Sequence, residues 1–347
     1  MQTSNSNVDS PPISASIGEL QQPSDTSSGG SSLRIPRLPA EILSEIFLHS
    51  LSDDLSFSPT QRRAPLIFTR ICRQWREVAI GLPWLWTQLR LIADDDLRER
   101  AYAYDLWLKR SRGCPLSLKL ECCTDLSEAR SLLQPYIQQI SSLELTFWYC
   151  RDPFMMEDFH GLKELIVRKY ADDSKLAIER TISKLPVNLR KMDILDLPWI
   201  CCKQLDFVAD SGWAHLTHLE ISIYRLDAFP RILRLCPNLS SVTILGIFHP
   251  IENQEPVTHT NLQCLYMCPS LCSNWDRELG LFKVLTLPNL RVLQAADMGS
   301  WPQEEFQAFL TRSKCSLECL AFRGVSLTDQ QREAYAALVP CFEIMKY

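Results

Sequence analysis

Over most of the chain the apolar residues fall into one recurring figure, apolar-x-x-apolar-x-apolar. It occurs at Ile140/Leu143/Leu145, Leu162/Leu165/Val167, Leu189/Met192/Ile194 and Leu216/Leu219/Ile221. It continues at Leu239/Val242/Ile244, Leu262/Leu265/Met267, Leu290/Leu293/Ala295 and Leu317/Leu320/Phe322. Successive first anchors are separated by 22, 27, 27, 23, 23, 28 and 27 residues. The alternating run Leu116, Leu118, Leu120 fits one step earlier. Each triplet predicts a short strand. The segments between carry helical spacing, as in Leu132, Leu133, Tyr136 and Ile137, in Phe229, Ile232 and Leu233, and in Phe306, Phe309 and Leu310. Pro-Asn-Leu at 237–239 and 288–290 ends a helix and opens a strand, because proline cannot continue a helix. A helix over 329–338 and a strand over 341–345 are expected to cap the array. No single unit buries its own apolar face, so the units are expected to stack around a continuous core.

The first part of the chain has a different pattern. Residues 1–33 form a serine-rich leader that buries too little apolar surface to offset its ordering entropy, and disorder is expected. A helix is predicted from Pro39, with Ile42, Ile46 and Phe47 at helical spacing, ending near Ser50. A second is predicted over 65–80 with one stripe of Ile67, Ile71, Cys72, Trp75, Val78 and Ala79. Gly81 ends it, and Leu82-Pro83-Trp84-Leu85-Trp86 follows as an aromatic plug. A charged helix then keeps Leu97, Ala101, Tyr104 and Leu108 in line, with Asp94, Asp95 and Asp96 at its start, where the helix dipole favours anions.

Leu38-Pro39-x-Glu41-Ile42-Leu43-x-Glu45-Ile46-Phe47, then Ile71-Cys72-Arg73-x-Trp75-Arg76, then Leu85-Trp86, resembles an F-box. The likeness is to the F-box-like proteins of mushroom-forming fungi, with a longer loop between the first two helices. Triplets at steps of 22–28 are the signature of leucine-rich repeats, and the array resembles those of F-box proteins. It departs from them three residues after the third anchor. Trp148, Tyr170, Leu197, Tyr224, Ile247, Ser270, Met298 and Val325 stand where Asn or Cys is favoured; only Cys123, in the earliest strand, conforms. The expected architecture is an α/β solenoid behind a small helical bundle: leader 1–33, F-box-like domain 34–91, connecting helix 92–113, and an irregular leucine-rich-repeat domain 114–347 with a parallel strand face.

The resemblance implies a non-enzymatic substrate-recognition subunit of an SCF-type ubiquitin ligase. The F-box would dock on a Skp-type adaptor and, through it, a cullin; the repeats would hold a protein target. Leu38, Pro39, Ile42, Ile46, Phe47, Cys72 and Trp75 fall at or near the adaptor interface by this likeness, some of them also forming the bundle core. Two alternatives stay open: an adaptor-bound scaffold acting outside ubiquitin transfer, and a repeat protein whose F-box has decayed. Either cytoplasm or nucleus suits the resemblance.

Composition narrows the rest. The 52 leucines are the residue of the repeat. Net charge is −5, without the basic patch that nucleic-acid binding needs. No apolar run is long enough for a membrane helix. With no charged and apolar secretory leader, the 14 cysteines are expected to be reduced thiols serving as small hydrophobes. No phosphate-cradling glycine loop or serine nucleophile elbow is present. His215 and His218, and the evenly spaced Cys264, Cys268 and Cys272, lack a good ligand spacing, so no metal or cofactor is expected. The centre of each triplet reads Lys119, Glu144, Ile166, Asp193, Glu220, Thr243, Tyr266, Gln294 and Ala321; the candidate target contacts are Glu144, Asp193, Glu220 and Tyr266 of this column, with Trp148, Tyr170 and Tyr224. Glu144, Asp193 and Glu220 would either receive a basic segment or form a solvated polar face. For Trp148, Tyr170 and Tyr224, strand parity implies exposure and the family's turn implies burial; burial is expected.

Overall fold

The computed structural model describes residues 38–51, 57–59, 64–170, 174–195, 212–223, 226, 228–246, 255–269 and 280–345. The leader, Tyr224 and Cys272 lie outside them. Ala40–Tyr347 forms one compact unit. The helices are α1 (Ala40–His49), α2 (Phe68–Ile71), α3 (Arg73–Gly81), α4 (Leu97–Arg110), α5 (Ser127–Leu133), α6 (Lys175–Ser183), α7 (Ala228–Leu235), α8 (Leu281–Val284), α9 (Gln303–Ser313) and α10 (Asp329–Leu338). The strands are β1 (Gln88–Ala93), β2 (Leu116–Cys122), β3 (Ile140–Phe147), β4 (Glu164–Lys169), β5 (Lys191–Leu195), β6 (His218–Ile223), β7 (Ser241–Gly246), β8 (Val257–Thr258), β9 (Cys264–Pro269), β10 (Leu285–Thr286), β11 (Val292–Ser300), β12 (Cys319–Ser326) and β13 (Cys341–Met345).

Eleven strands form one mixed α/β fold's main sheet, in the order β1-β2-β3-β4-β5-β6-β7-β9-β11-β12-β13. Each is parallel to the next. This serial order is compatible with a solenoid of α/β units. Strands β8 and β10 pair separately. Every anchor of the triplets is buried, and one apolar cluster runs from Leu43 to Val339. Parallel strands demand crossovers, and helices α4, α5, α6 and α9 lie in such connections, whereas the β3–β4 connection has no helix.

The sheet begins one strand earlier than the triplets indicate. Gln88–Ala93, at the boundary between the expected F-box segment and the connecting helix, alternates half-buried and buried residues and pairs with β2. Helix α4 is therefore the crossover from β1 to β2. The free edge of β1 is met by Phe57, whose carbonyl accepts from Arg90 N at 2.6 Å. Covering an edge in this way blocks further strand pairing.

An asparagine ladder stabilises the stacking. Asn188, Asn238, Asn261 and Asn289 each precede a first anchor. Their Nδ2 atoms donate to the carbonyls of His160 (2.7 Å), Ala214 (2.8 Å), Pro237 (2.9 Å) and Thr260 (2.6 Å). Each acceptor sits two residues before the preceding unit's anchor. Gly161 occupies the asparagine position in the β3–β4 step, and a Cβ there would lie 2.4 Å from the Gln138 carbonyl. The polar residue that ties neighbouring units thus precedes the strand rather than following it.

Buried His259 performs a related task. Its Nδ1 accepts from Leu262 N (3.1 Å), and its Nε2 lies 3.0 Å from the Cys236 carbonyl. A carbonyl only accepts, so the neutral ring carries its proton on Nε2.

Candidate functional site

The N-terminal helices are the first candidate surface. Helix α1 has two apolar stripes. Leu43 and Phe47 are fully buried, whereas Ile42 and Ile46 are 48% and 40% exposed. The expected second helix is broken at Cys72, whose backbone is extended (φ −154°, ψ 174°) and whose sulfur accepts from Trp75 N. The break shifts the helical phase. The single stripe expected over 65–80 therefore splits: Ala79 turns inward, while Ile67 and Ile71 are 45% and 53% exposed.

Phe47 is the exception among the expected adaptor contacts. It stacks on Phe68 with ring centroids 4.2 Å apart and is tilted against Trp75 at 5.1 Å. Its burial removes it from the outer surface, and Trp75 is half-buried with it. Cys72, Leu38 and Pro39 are exposed. Ile46 and Ile67 immediately precede the two stacked rings, so the exposed aliphatic pairs flank one inter-helix contact.

The second candidate surface is the sheet face opposite the crossovers. Strand register aligns Arg90, Lys119, Glu144, Ile166, Asp193, Glu220, Thr243, Tyr266, Gln294, Ala321 and Glu343 in one column. All nine central residues picked out in the triplets belong to it. At Glu144 it does not offer a carboxylate open to a basic segment. Glu144 is buried and shared by Lys119 Nζ (3.1 Å) and Arg168 Nε (3.0 Å). Arg90 meets Glu121 at 2.7 Å beside them. Register brings these charges within reach across adjacent strands, so they satisfy one another. Replacing Glu144 with alanine removes the acceptor that both cations share. A loss of about 1.5–3 kcal/mol is expected in urea unfolding, with Glu144→Gln losing less.

Asp193 and Glu220 are direct partners on β5 and β6. Burial pushes the Asp193 carboxyl above the ordinary carboxylate range; Lys191, 3.7 Å away, opposes this. Burial raises Glu220 too, and the neighbouring Asp193 charge adds to it. The folded protein therefore holds these protons to higher pH than the unfolded chain does. Their contribution to stability is most favourable at acid pH and declines as pH rises from the ordinary carboxylate range through the raised values. Asp193→Asn is expected to flatten that decline and raise the melting temperature at neutral pH. Thermal melts of both proteins across acid to neutral pH check this, and a parallel pH dependence would contradict it.

At the C-terminal ends of β3 and β4, Trp148 and Tyr170 stack face to face, 4.2 Å between centroids and 8° between planes. Trp148 is half-buried and Tyr170 is 62% exposed, correcting the expected burial of Tyr170. The backbone gives the reason. Tyr170 N donates to the Phe147 carbonyl at 2.9 Å, so pairing continues past β4 and strand parity turns the ring outward. Tyr149 beside them is 69% exposed. The buried Trp148 indole N–H has no hydrogen-bond partner among the described residues.

Tyr266 lines a hollow on the same face with Cys268, Gln294, Ala296, Arg323 and Met345. Burial raises its hydroxyl above the usual value. Among the described residues, no three His, Cys, Asp or Glu side chains are grouped to hold a metal ion, and no helix is long and apolar enough to cross a membrane. Neither family models nor curated proteins gave a match to this chain.

Proposed function

We propose that this chain is the substrate-recognition subunit of an SCF-type ubiquitin ligase. The observation that carries the reading is the outward aliphatic set Ile42, Ile46, Ile67 and Ile71. Their helices are joined by the Phe47–Phe68 stack, and exposed aliphatic residues that form a common patch mark an interaction surface. It lies within the segment whose sequence resembles an F-box, on α1 and around α2. A Skp-type adaptor is the partner this resemblance supplies. The serial parallel strands, with anchors buried at the expected steps, support reading the sheet as an irregular leucine-rich-repeat array.

The action would be positional rather than chemical. Holding a target on the open sheet face raises the effective concentration of its lysines near the conjugating enzyme. The Trp148–Tyr170 stack and Tyr149 are the side chains best suited to anchor that target, since exposed aromatics supply large contact area at small entropic cost. The ion-paired Glu144 is not available for that role. Such a subunit works in the cytoplasm or nucleus.

Affinity purification of the tagged chain under proteasome inhibition tests the reading. Adaptor and cullin are expected to co-purify, together with a protein whose level rises when the chain is deleted. Recovery of the adaptor without cullin would replace the reading with that of a scaffold acting outside ubiquitin transfer.

A further inference from the structure

We infer that Cys319 and Cys341 are a disulfide-forming pair that reversibly staples the edge strand β13 to β12. The two residues are direct register partners on adjacent parallel strands. Paired strands run about 4.8 Å apart, within the Cα separation that disulfides span. The sulfurs are already in contact at 3.2 Å. Among the described residues β13 pairs only with β12, so it is free to adjust on its other side as the bond forms.

These thiols differ in their surroundings from the buried cysteines among the described residues. Cys122, Cys150 and Cys236 are buried, and burial pushes the Cys236 thiol up to about 12, as suits an inert space-filler. Cys319 and Cys341 are half-exposed and lie on the open sheet face. The Cys341 thiol donates to Glu343 Oε1 at 3.4 Å. It is pushed up to about 11, by its hydrogen bond with Cys319 first and Glu343 second.

The oxidant required is a low-molecular-weight disulfide such as glutathione disulfide. The thiolate of Cys319 attacks one of its sulfurs, forms a mixed disulfide and expels one glutathione thiolate. Cys341 then loses its proton to solvent, and its thiolate attacks the Cys319 sulfur of the mixed disulfide, expelling the second glutathione as thiolate. The two protons shed by the cysteines end on the two glutathiones, which carry away the two electrons. Cys341 is the slower nucleophile, but its step is intramolecular and gains from a high effective concentration. Closure would also fix the position of Met345, at the end of β13, which forms one wall of the hollow around Tyr266 and Arg323.

The experiment incubates the full chain, freed of reductant, with glutathione disulfide, blocks remaining thiols with iodoacetamide and maps tryptic peptides by mass spectrometry. The expected product joins peptide 315–323 to peptide 333–346, two hydrogens lighter than their sum, and disappears on reduction with dithiothreitol. Cys315 shares the first peptide, so the link must persist in Cys315→Ser and vanish in Cys319→Ser. Recovery of Cys319 and Cys341 only as alkylated thiols or as separate glutathione adducts would overturn the inference. So would a link that is lost in Cys315→Ser.

Discussion

Trp86→Ala is expected to cost the protein about 3–5 kcal/mol of stability, the range for emptying a fully buried aromatic site. The indole is completely buried. Its Nε1 donates to the Ala79 carbonyl of α3 at 2.9 Å. Its ring meets Trp107 of α4 edge-on, 5.0 Å between centroids and 81° between planes. The Arg110 guanidinium lies 4.4 Å from the ring centre, and Trp107 Nε1 donates to the Trp86 carbonyl at 3.1 Å. This one side chain therefore joins the N-terminal helices to the first crossover of the sheet. Truncation removes volume, a hydrogen bond and a cation–π contact together. Urea unfolding measures the loss, and hydrogen exchange should show α3 opening most. A loss below about 1 kcal/mol would mean that the helices and the sheet are joined elsewhere.

The double variant Ile42→Glu/Ile46→Glu is expected to weaken binding to a Skp-type adaptor by about 100-fold or more, on the order of 2.8 kcal/mol. Stability should barely change, because substitutions at exposed helix positions usually stay within about 0.5 kcal/mol each. The neighbouring stripe provides the contrast. Leu43 and Phe47 are fully buried, so charged residues there would unfold the bundle and say nothing about docking. Binding measured alongside circular dichroism separates the two effects. Undiminished adaptor binding by a folded double variant would place the docking surface elsewhere.

Much of the sheet is legible because a parallel strand covered on one face must bury alternate residues, and the triplets record that directly. The central column is legible for the same reason: side-chain period and register leave no choice about which residues line up. Strand β1 carries the figure as Trp86/Leu89/Leu91, but its first anchor is part of the aromatic plug, and Leu89, Leu91 and Ala93 sit between that plug and three aspartates. Their alternation, one repeat length before Leu118, was the available signal. The break at Cys72 has no comparable signature, since a thiol is a weak helix cap, and without the break Ile67 and Ile71 look like core. The pairing of Glu144 depends on Lys119 and Arg168 from two different strands, so it emerges only once register is known. The asparagines before Leu189, Leu239, Leu262 and Leu290 were visible as recurring dipeptides. Their cross-unit hydrogen bonds follow from stacking geometry, which no local pattern contains.

A calorimetric titration of the purified chain with a Skp-type adaptor tests the central claim most directly. The account predicts a saturable complex of one chain with one adaptor, formed by the wild-type protein and lost in Ile42→Glu/Ile46→Glu. A correctly folded wild-type chain that gives no binding heat and no co-migrating complex in size-exclusion chromatography would contradict it.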